Sequence, residues 1–442
     1  MNIVLLIKDF AVGKKFDKSG MPNQSGGEKH GLNHAKELIR LGHHVTIMAK
    51  KKYWFTKVRE LYDGCIDLVR LHGLIRWFEI FLRLLTTHSK ADAFYIIGRP
   101  KFSVWAILYA KLTDKPVTLA LTGKAEVFNN KQSFREKLFA SCDNYIATTH
   151  EIKESFIKDA HINPDKISVI PHGIDIKKYP FVSYEDRCIA KQQAGLDSVI
   201  PNLLFCARVA PNKGILIALE VWKQIYEHYP DSKFYIVGGG DNTLLDEARR
   251  VSEQCNNSII VVGEVDDVTP YHRLSDVYIF PSEHEGLPTS LLEAMSSGLA
   301  TVCSDIGGNN DLIFDDVTGY RVPVKDVNAY VEKVSKLFDN INLREKMGKC
   351  SSKYVEEHCS YDVVSKEMEL TAKTEVGNVT SKIHLNPKKA TKNNLELQLN
   401  SEKRNLEVEF PDEVENPTDV KVVVNGKEVG TSTTFEVDSI PY

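Results

Sequence analysis

The chain has 442 residues, 42% of them hydrophobic and 26% charged, with a formal net charge of −4. That is the make-up of a globular protein too long for one ordinary core, so two large units and something smaller are expected. No window is apolar for the length of a membrane span, and MNIVLLIKDF is a short strand followed at once by Lys8 and Asp9 rather than a cleavable leader, so a cytoplasmic protein is expected.

Across residues 1–175, short apolar runs recur at NIVLLI, HVTIMA, AFYIIG, VTLAL, NYIAT and ISVIP, with helical periodicity between them. In NQSGGEKHGLNHAKELIRLGHH, Gly26 and Gly27 precede a helix on which Leu32, Ala35, Leu38 and Ile39 share a face, and Gly42 falls where a C-cap belongs. No G-x-G-x-x-G directly follows the first strand, which disfavours a nicotinamide enzyme. LIRWFEIFLRLL, Leu74–Leu85, is amphipathic, with Arg76, Glu79 and Arg83 on one face and KKKYWFTK upstream. A helix packed on the first sheet is the favoured reading; a peripheral contact with anionic lipid is the alternative. Residues 1–175 are basic, with 27 Lys and Arg against 18 Asp and Glu, as an anionic partner or an ordinary solvated face would have it.

The pattern restarts after Pro180. Strands are expected at LLFCARV, FYIVGG, IIVVGE, VYIFPS and ATVCSD, and helices at ILIALEVWKQIYEHY, NTLLDEARRVSEQC, TSLLEAMSSG and VNAYVEKVSKLFDN. Alternating strand and helix give a parallel sheet covered on both faces. The expected class is therefore α/β, with two doubly wound Rossmann-like domains, 1–175 and 176–372, facing a cleft at the carboxyl ends of their strands. Residues 373–405 are rich in Lys, Asn and Thr and read as a linker. Residues 406–442 read as a small β-rich tail, with a hairpin signal at Asn425-Gly426. The eight cysteines are scattered without a C-x-x-C pair, so buried free thiols are expected rather than zinc or disulfides.

The densest chemistry lies in EHEGLPTSLLEAMSSG, where Glu285 and Glu293 flank a turn that opens a helix at Pro288. The backbone N–H groups around 286–290, at the end of strand VYIF, make an anion site suited to a diphosphate, with Thr289 or Ser290 as a cap and Pro288 placed where its missing N–H costs nothing. Glu293 could accept both hydroxyls of a ribose and Glu285 could face a sugar. Ser290-Leu-Leu-Glu293 equally fits a capping box. In ARVAPNKG, Arg208 and Lys213 follow the first strand of the second unit and could neutralise a departing diphosphate without a metal, or be solvated loop cations. Gly307-Gly308 in CSDIGGNNDLI and Gly238 in YIVGGGD permit close backbone approach to a ligand, or are turns. Lys124 and Glu126, after VTLAL, are further loop charges that could meet an acceptor or be solvated.

The order SGGEKHGLNHAKELIRLGHHVTIMA, VIPHGID, ARVAPNKG, FPSEHEGLPTSLLEAMSSGLATVCSDIGG, DDVTGYRVP resembles the retaining GT-B glycosyltransferases of family 4, over about residues 1–370. The resemblance implies transfer from a nucleotide-diphosphate sugar, a co-substrate rather than a cofactor, to a glycan or lipid-linked acceptor in cell-surface polysaccharide biosynthesis. It implies no metal and no nucleic-acid partner, with the protein in the cytoplasm or peripheral at the inner face of the membrane. Arg208 and Lys213 would hold the diphosphate, Glu285 the sugar, Gly286 and Leu287 the phosphates or sugar, and Glu293 the ribose. Gly26 and Gly27 would face them from the first domain, with Lys124 and His150 on the acceptor side, and a last helix around 354–370 would cross back onto that domain. The chain departs from the pattern at Thr122-Gly123, where relatives carry a histidine, at His150 and His172, where they carry serine and asparagine, and at Asn310-Asp311, where they carry Pro-Glu. No catalytic histidine is assigned. A nucleotide-sugar epimerase of the same shape and a degenerate scaffold subunit are the alternatives.

Overall fold

The computed structural model describes residues 1–7, 35, 38–49, 66–70, 76–86, 90–121, 123–125 and 133–373, with six short strands between 381 and 436. In the first domain the elements run β1 (Asn2–Ile7), β2 (His44–Ala49), β3 (Ile66–Arg70), α1 (Arg76–Thr86), β4 (Ala93–Ile97), α2 (Val104–Leu112), β5 (Val117–Leu121), α3 (Phe134–Phe139), β6 (Asn144–Ala147), α4 (His150–Ala160) and β7 (Ile167–Val169). The strands form one parallel sheet in the order β3-β2-β1-β4-β5-β6-β7. Every residue of β4 and β5 is buried, as expected of strands covered on both faces. Val4, Leu6, Ile96, Leu119, Phe139 and Tyr145 join one core with Ile80 and Leu84 of α1. The amphipathic helix is thus a packed helix, and it also leaves Leu82 and Leu85 exposed.

In the second domain the order is α5 (Tyr184–Gln193), β8 (Leu203–Cys206), α6 (Ile215–His228), β9 (Phe234–Val237), α7 (Asn242–Gln254), β10 (Ile259–Gly263), α8 (Thr269–Leu274), β11 (Val277–Phe280), α9 (Thr289–Ser296), β12 (Ala300–Ser304), α10 (Gly307–Asn310), β13 (Gly319–Val322), α11 (Val327–Asp339), α12 (Ile341–Cys359) and α13 (Tyr361–Lys373). Its sheet is parallel, ordered β10-β9-β8-β11-β12-β13. One face packs Phe205, Trp222, Phe234 and Tyr330; the other packs Tyr278, Phe280, Leu291 and Met295. Each sheet reverses its winding once, between β1 and β4 and between β8 and β11, and such reversal points open crevices at the strands' carboxyl ends.

Two expectations change. The single last helix around 354–370 is two helices, α12 and α13, broken at Ser360, which bridges to Ile174 in the connection from the first domain. The Ile174 N–H donates to the Cys359 carbonyl at 2.8 Å. The supposed linker 373–405 contains two strands, β14 (Ser381–His384) and β15 (Leu395–Glu396), too short to show a period. They pair in parallel with β16 (Asn405–Glu409) and β17 (Val422–Val424). β17 also pairs antiparallel with β18 (Lys427–Gly430), Val424 opposite Lys427, and β16 with β19 (Thr434–Glu436). Asn425-Gly426 lies outside the described residues, but the strands on its two sides form the hairpin that it signals.

Candidate active site

β8 and β11 are neighbours at the reversal point of the second sheet, so the loops that follow them lie side by side. The loop after β8 carries exposed Arg208 and then a 3-10 turn, Pro211–Lys213, closed by Gly214. The loop after β11 carries Ser282, Glu285, Gly286, Leu287 and Pro288 before α9 begins. Three contacts sew the loops together. The Glu283 N–H donates to the Asn212 carbonyl at 2.9 Å. The Ser282 hydroxyl lies 3.1 Å from the same carbonyl and 2.6 Å from Oε1 of Glu285, onto which it donates. Lys213 Nζ completes the set, 2.5 Å from that oxygen. The Lys213 and Glu285 side chains are 18% and 10% exposed, so this pair is screened far less than a surface ion pair.

Glu293 lies one turn into α9. The N-cap position is Pro288 itself and no side chain caps the helix, so neither Thr289 nor Ser290 does. A capping box from Ser290 to Glu293 is therefore not formed, because Ser290 already sits inside the helix. Glu293 instead faces Tyr179: burial, and then the Glu293 carboxylate that meets its hydroxyl, push the Tyr179 phenol far above its ordinary range. Tyr179 keeps its proton and donates it to Glu293. The Ser296 hydroxyl holds the Tyr179 carbonyl at 2.6 Å.

The loop after β12 closes the third side. A Cβ on Gly308 would run into the Gly286 carbonyl oxygen, so glycine is what lets this loop lie against the Glu285 turn. Gly238 is a close approach of another kind. Its φ is 137°, and a Cβ there would strike the Ala207 carbonyl. It spaces the β9 loop from the β8 loop, whose Val209 N–H donates to Gly239 at 2.9 Å.

From the first domain, the loops after β5 and β6 reach the same region. Lys124 Nζ pairs with Glu151 at 2.7 Å, and the Glu151 carboxylate lies against Gly307. His150 meets Asp311: its N–H donates to Oδ2 at 2.7 Å, and Nδ1 lies 3.1 Å from Oδ1. The carboxyl ends of the two sheets therefore face each other across a cleft. Gly26, Gly27, Thr122 and Glu126 lie outside the described residues. Ser282, Tyr179, Glu151 and Asp311 were not legible as site residues. Ser282 meets Glu285 three positions on, through the turn of its own loop, whereas His150 and Asp311, 161 positions apart, become neighbours only when loops dock.

Among the described residues no group of His, Cys, Asp and Glu has the arrangement of a metal site, and no helix is long and apolar enough to cross a membrane.

Residues 24–178 match the family Glycosyltransferase Family 4, and residues 200–340 match the family Glycosyl transferases group 1. A UDP-Gal:alpha-D-GlcNAc-diphosphoundecaprenol alpha-1,3-galactosyltransferase of Escherichia coli is 30% identical over 223 residues, 49% of this chain and 57% of that protein. The match thus spans little more than half of that relative's length. The capsular polysaccharide biosynthesis glycosyltransferase CapM of Staphylococcus aureus is 22% identical over 318 residues, 69% of this chain and 83% of that protein. Among solved structures, Anabaena Alr3699/HepE in complex with UDP superposes with a TM-score of 0.68 at 15% identity, covering 84% of this chain and 99% of that one. A glycosyltransferase from Rickettsia africae gives 0.69 at 18% identity, covering 85% and 98%.

Proposed function

Because the chain belongs to the family 4 glycosyltransferases and has their GT-B fold, we propose that it moves a sugar from a nucleotide-diphosphate donor to a hydroxyl of a glycan or lipid-linked acceptor, with retention of anomeric configuration. One observation carries the reading. Arg208, Lys213, Glu285 and Glu293 all issue from the carboxyl ends of β8 and β11, the adjacent strands at which the second sheet reverses. Two cations and two acids at one crevice suit a ligand with a diphosphate in its middle and hydroxyls at both ends.

In the reaction, the bond between the anomeric carbon and the diphosphate oxygen breaks, and the electron pair leaves with the diphosphate. Arg208, Lys213 and the backbone N–H groups of the turn before α9 stabilise that charge, so the reading needs no metal. The acceptor oxygen bonds to the anomeric carbon on the face that the diphosphate vacates, and its proton passes to a diphosphate oxygen. Glu285 holds the sugar and Glu293 the ribose. The opposed first domain excludes water from the cationic centre.

The acceptor class is supported by the names of relatives. The Escherichia coli relative is named for a diphosphoundecaprenol-linked substrate and the Staphylococcus aureus one for capsular polysaccharide. A lipid-linked acceptor would be met at the inner face of a membrane, where Leu82 and Leu85 of α1 offer exposed apolar side chains.

The test is to incubate the full chain with UDP-galactose, UDP-glucose, GDP-mannose, ADP-glucose and TDP-glucose and follow free nucleoside diphosphate by mass spectrometry. Release from one donor is expected, with Arg208→Ala and Glu293→Ala nearly inactive. An altered nucleotide sugar without free diphosphate would mean an epimerase, and full activity in both variants would sink the site.

A further inference from the structure

α4 has an unusual pair of caps. His150 is its first residue, and the N–H of a first residue is one of four that a helix cannot satisfy internally. Thr149, the residue before it and the N-cap, accepts the Ile152 N–H through its hydroxyl at 3.2 Å. The His150 N–H goes instead to Asp311, 161 positions later and in the other domain. Asp311 is steadied from behind, where the Tyr354 hydroxyl donates to its carbonyl at 3.0 Å. Beside it the Glu151 carboxylate, paired with Lys124, presses on Gly307, and Gly308 stands against the Glu285 turn.

A local side chain would cap the helix as well as Asp311 does. A cap from the opposite domain does something more, because the helix end is complete only while the cleft holds its width. The carboxylate also meets the positive end of the helix dipole. The His150 side chain, 74% exposed, would be a weak tie by itself. Resting on the transferase reading, we propose that Asp311 is a positioning residue. It docks on the N-terminus of α4 and fixes the cleft at its sugar-holding end, so that Lys124 and Glu151 sit over the donor sugar and water does not.

The experiment compares the full chain with Asp311→Ala and Asp311→Asn. Deuterium uptake of peptides covering 149–152 is read first. Exchange at His150 should quicken about fivefold or more in Asp311→Ala, the scale of a lost helix cap. Asp311→Asn should fall between, because its amide oxygen still accepts, and uptake in β8 and β11 should not change. Unchanged uptake at 149–152 overturns the proposal. If Asp311→Ala does not fold by circular dichroism, Asp311→Asn decides.

The second readout is the fate of whichever of the five nucleotide sugars the wild type consumes. Transfer should fall about tenfold or more in Asp311→Ala, while the share of donor lost to water rises and the affinity for the bare nucleoside diphosphate holds. Faster exchange with an unchanged partition would make the contact a structural clip and overturn the positioning role. Consumption of no nucleotide sugar would remove that role along with the transferase reading, and the exchange readout would still show whether Asp311 caps α4.

Discussion

Lys213 and Glu285 neutralise each other at 2.5 Å, and the Ser282 hydroxyl holds the same carboxylate oxygen. A donor diphosphate beside Lys213 carries more negative charge than one carboxylate, so it would draw the ammonium away. Glu285 would then be free to accept from a sugar hydroxyl, with Ser282 still fixing one oxygen. Diphosphate recognition and sugar recognition would be coupled through one ion pair. Replacing Lys213 with Ala should lower kcat/KM for the donor about 10²- to 10³-fold, the usual loss for one preorganised donor to a developing anion. A loss within threefold in initial-rate measurements would place Lys213 away from the leaving group. Ser282→Ala is subtler. It removes a hydrogen bond to a charged group, worth ~1.5–3 kcal/mol, so the donor KM should rise about tenfold or more. Calorimetric affinity for the bare nucleoside diphosphate should hold, and equal weakening of both ligands would reduce Ser282 to a tie between loops.

Among elements, what was legible in the sequence follows burial. VTLAL and VYIF are buried along their whole length, and continuous apolar runs announce such strands. The edge strands β3 and β13 were missed, because Asp67, Arg70 and Arg321 break the apolar run in IDLVR and GYRV. The helix α5 and the first part of α12 were missed because YEDRCIAKQQ and INLREKMGKC contain few apolar residues. α5 instead buries the long side chains of Arg187 and Lys191. Arg208, Lys213, Glu285 and Glu293 could be picked out because each follows a legible strand. The partner of Glu293 could not, because Tyr179 meets it only when distant segments dock. Gly308 marks such a docking point. Gly308→Ala would force a methyl onto the Gly286 carbonyl, and overpacking of this kind typically costs ~1–3 kcal/mol. It should lower Tm by several degrees and abolish donor binding. Gly123→Ala, with open space around it, should leave Tm unchanged. Equal Tm values for the two variants would show that the β12 loop does not need its glycine.

Over the whole molecule, the second domain is tied together by buried charge, and this sets a limit on its pH range. Arg187 donates to the carbonyls of His272, Ser275 and Ser297, joining α5 to the ends of α8 and α9. Lys191 pairs with Asp276 at 2.5 Å in the same interior. His272 stands at this junction. Its Nδ1 lies 2.9 Å from the Ser297 hydroxyl, its ring is stacked obliquely 5.8 Å from that of Tyr179, and its Nε2 is buried without a hydrogen-bond partner among the described residues. Burial, and then the Arg187 charge, lower its pKa from 6.5 to about 3. The unfolded chain therefore takes up this proton below about pH 6.5, whereas the folded chain refuses it until about pH 3. Stability is whole above pH 6.5 and is lost progressively as the pH falls through that window. At pH 5 the loss from this one group is ~2 kcal/mol. His272→Gln keeps a polar atom able to meet Ser297 and cannot take up the proton. Thermal unfolding at pH 7.5, 6 and 5 should show a steep fall in Tm for the wild type and a shallower one for the variant, whatever the variant's stability at pH 7.5. Parallel slopes would mean that His272 is protonated within the folded domain, and that Arg187 does not hold the junction closed against it.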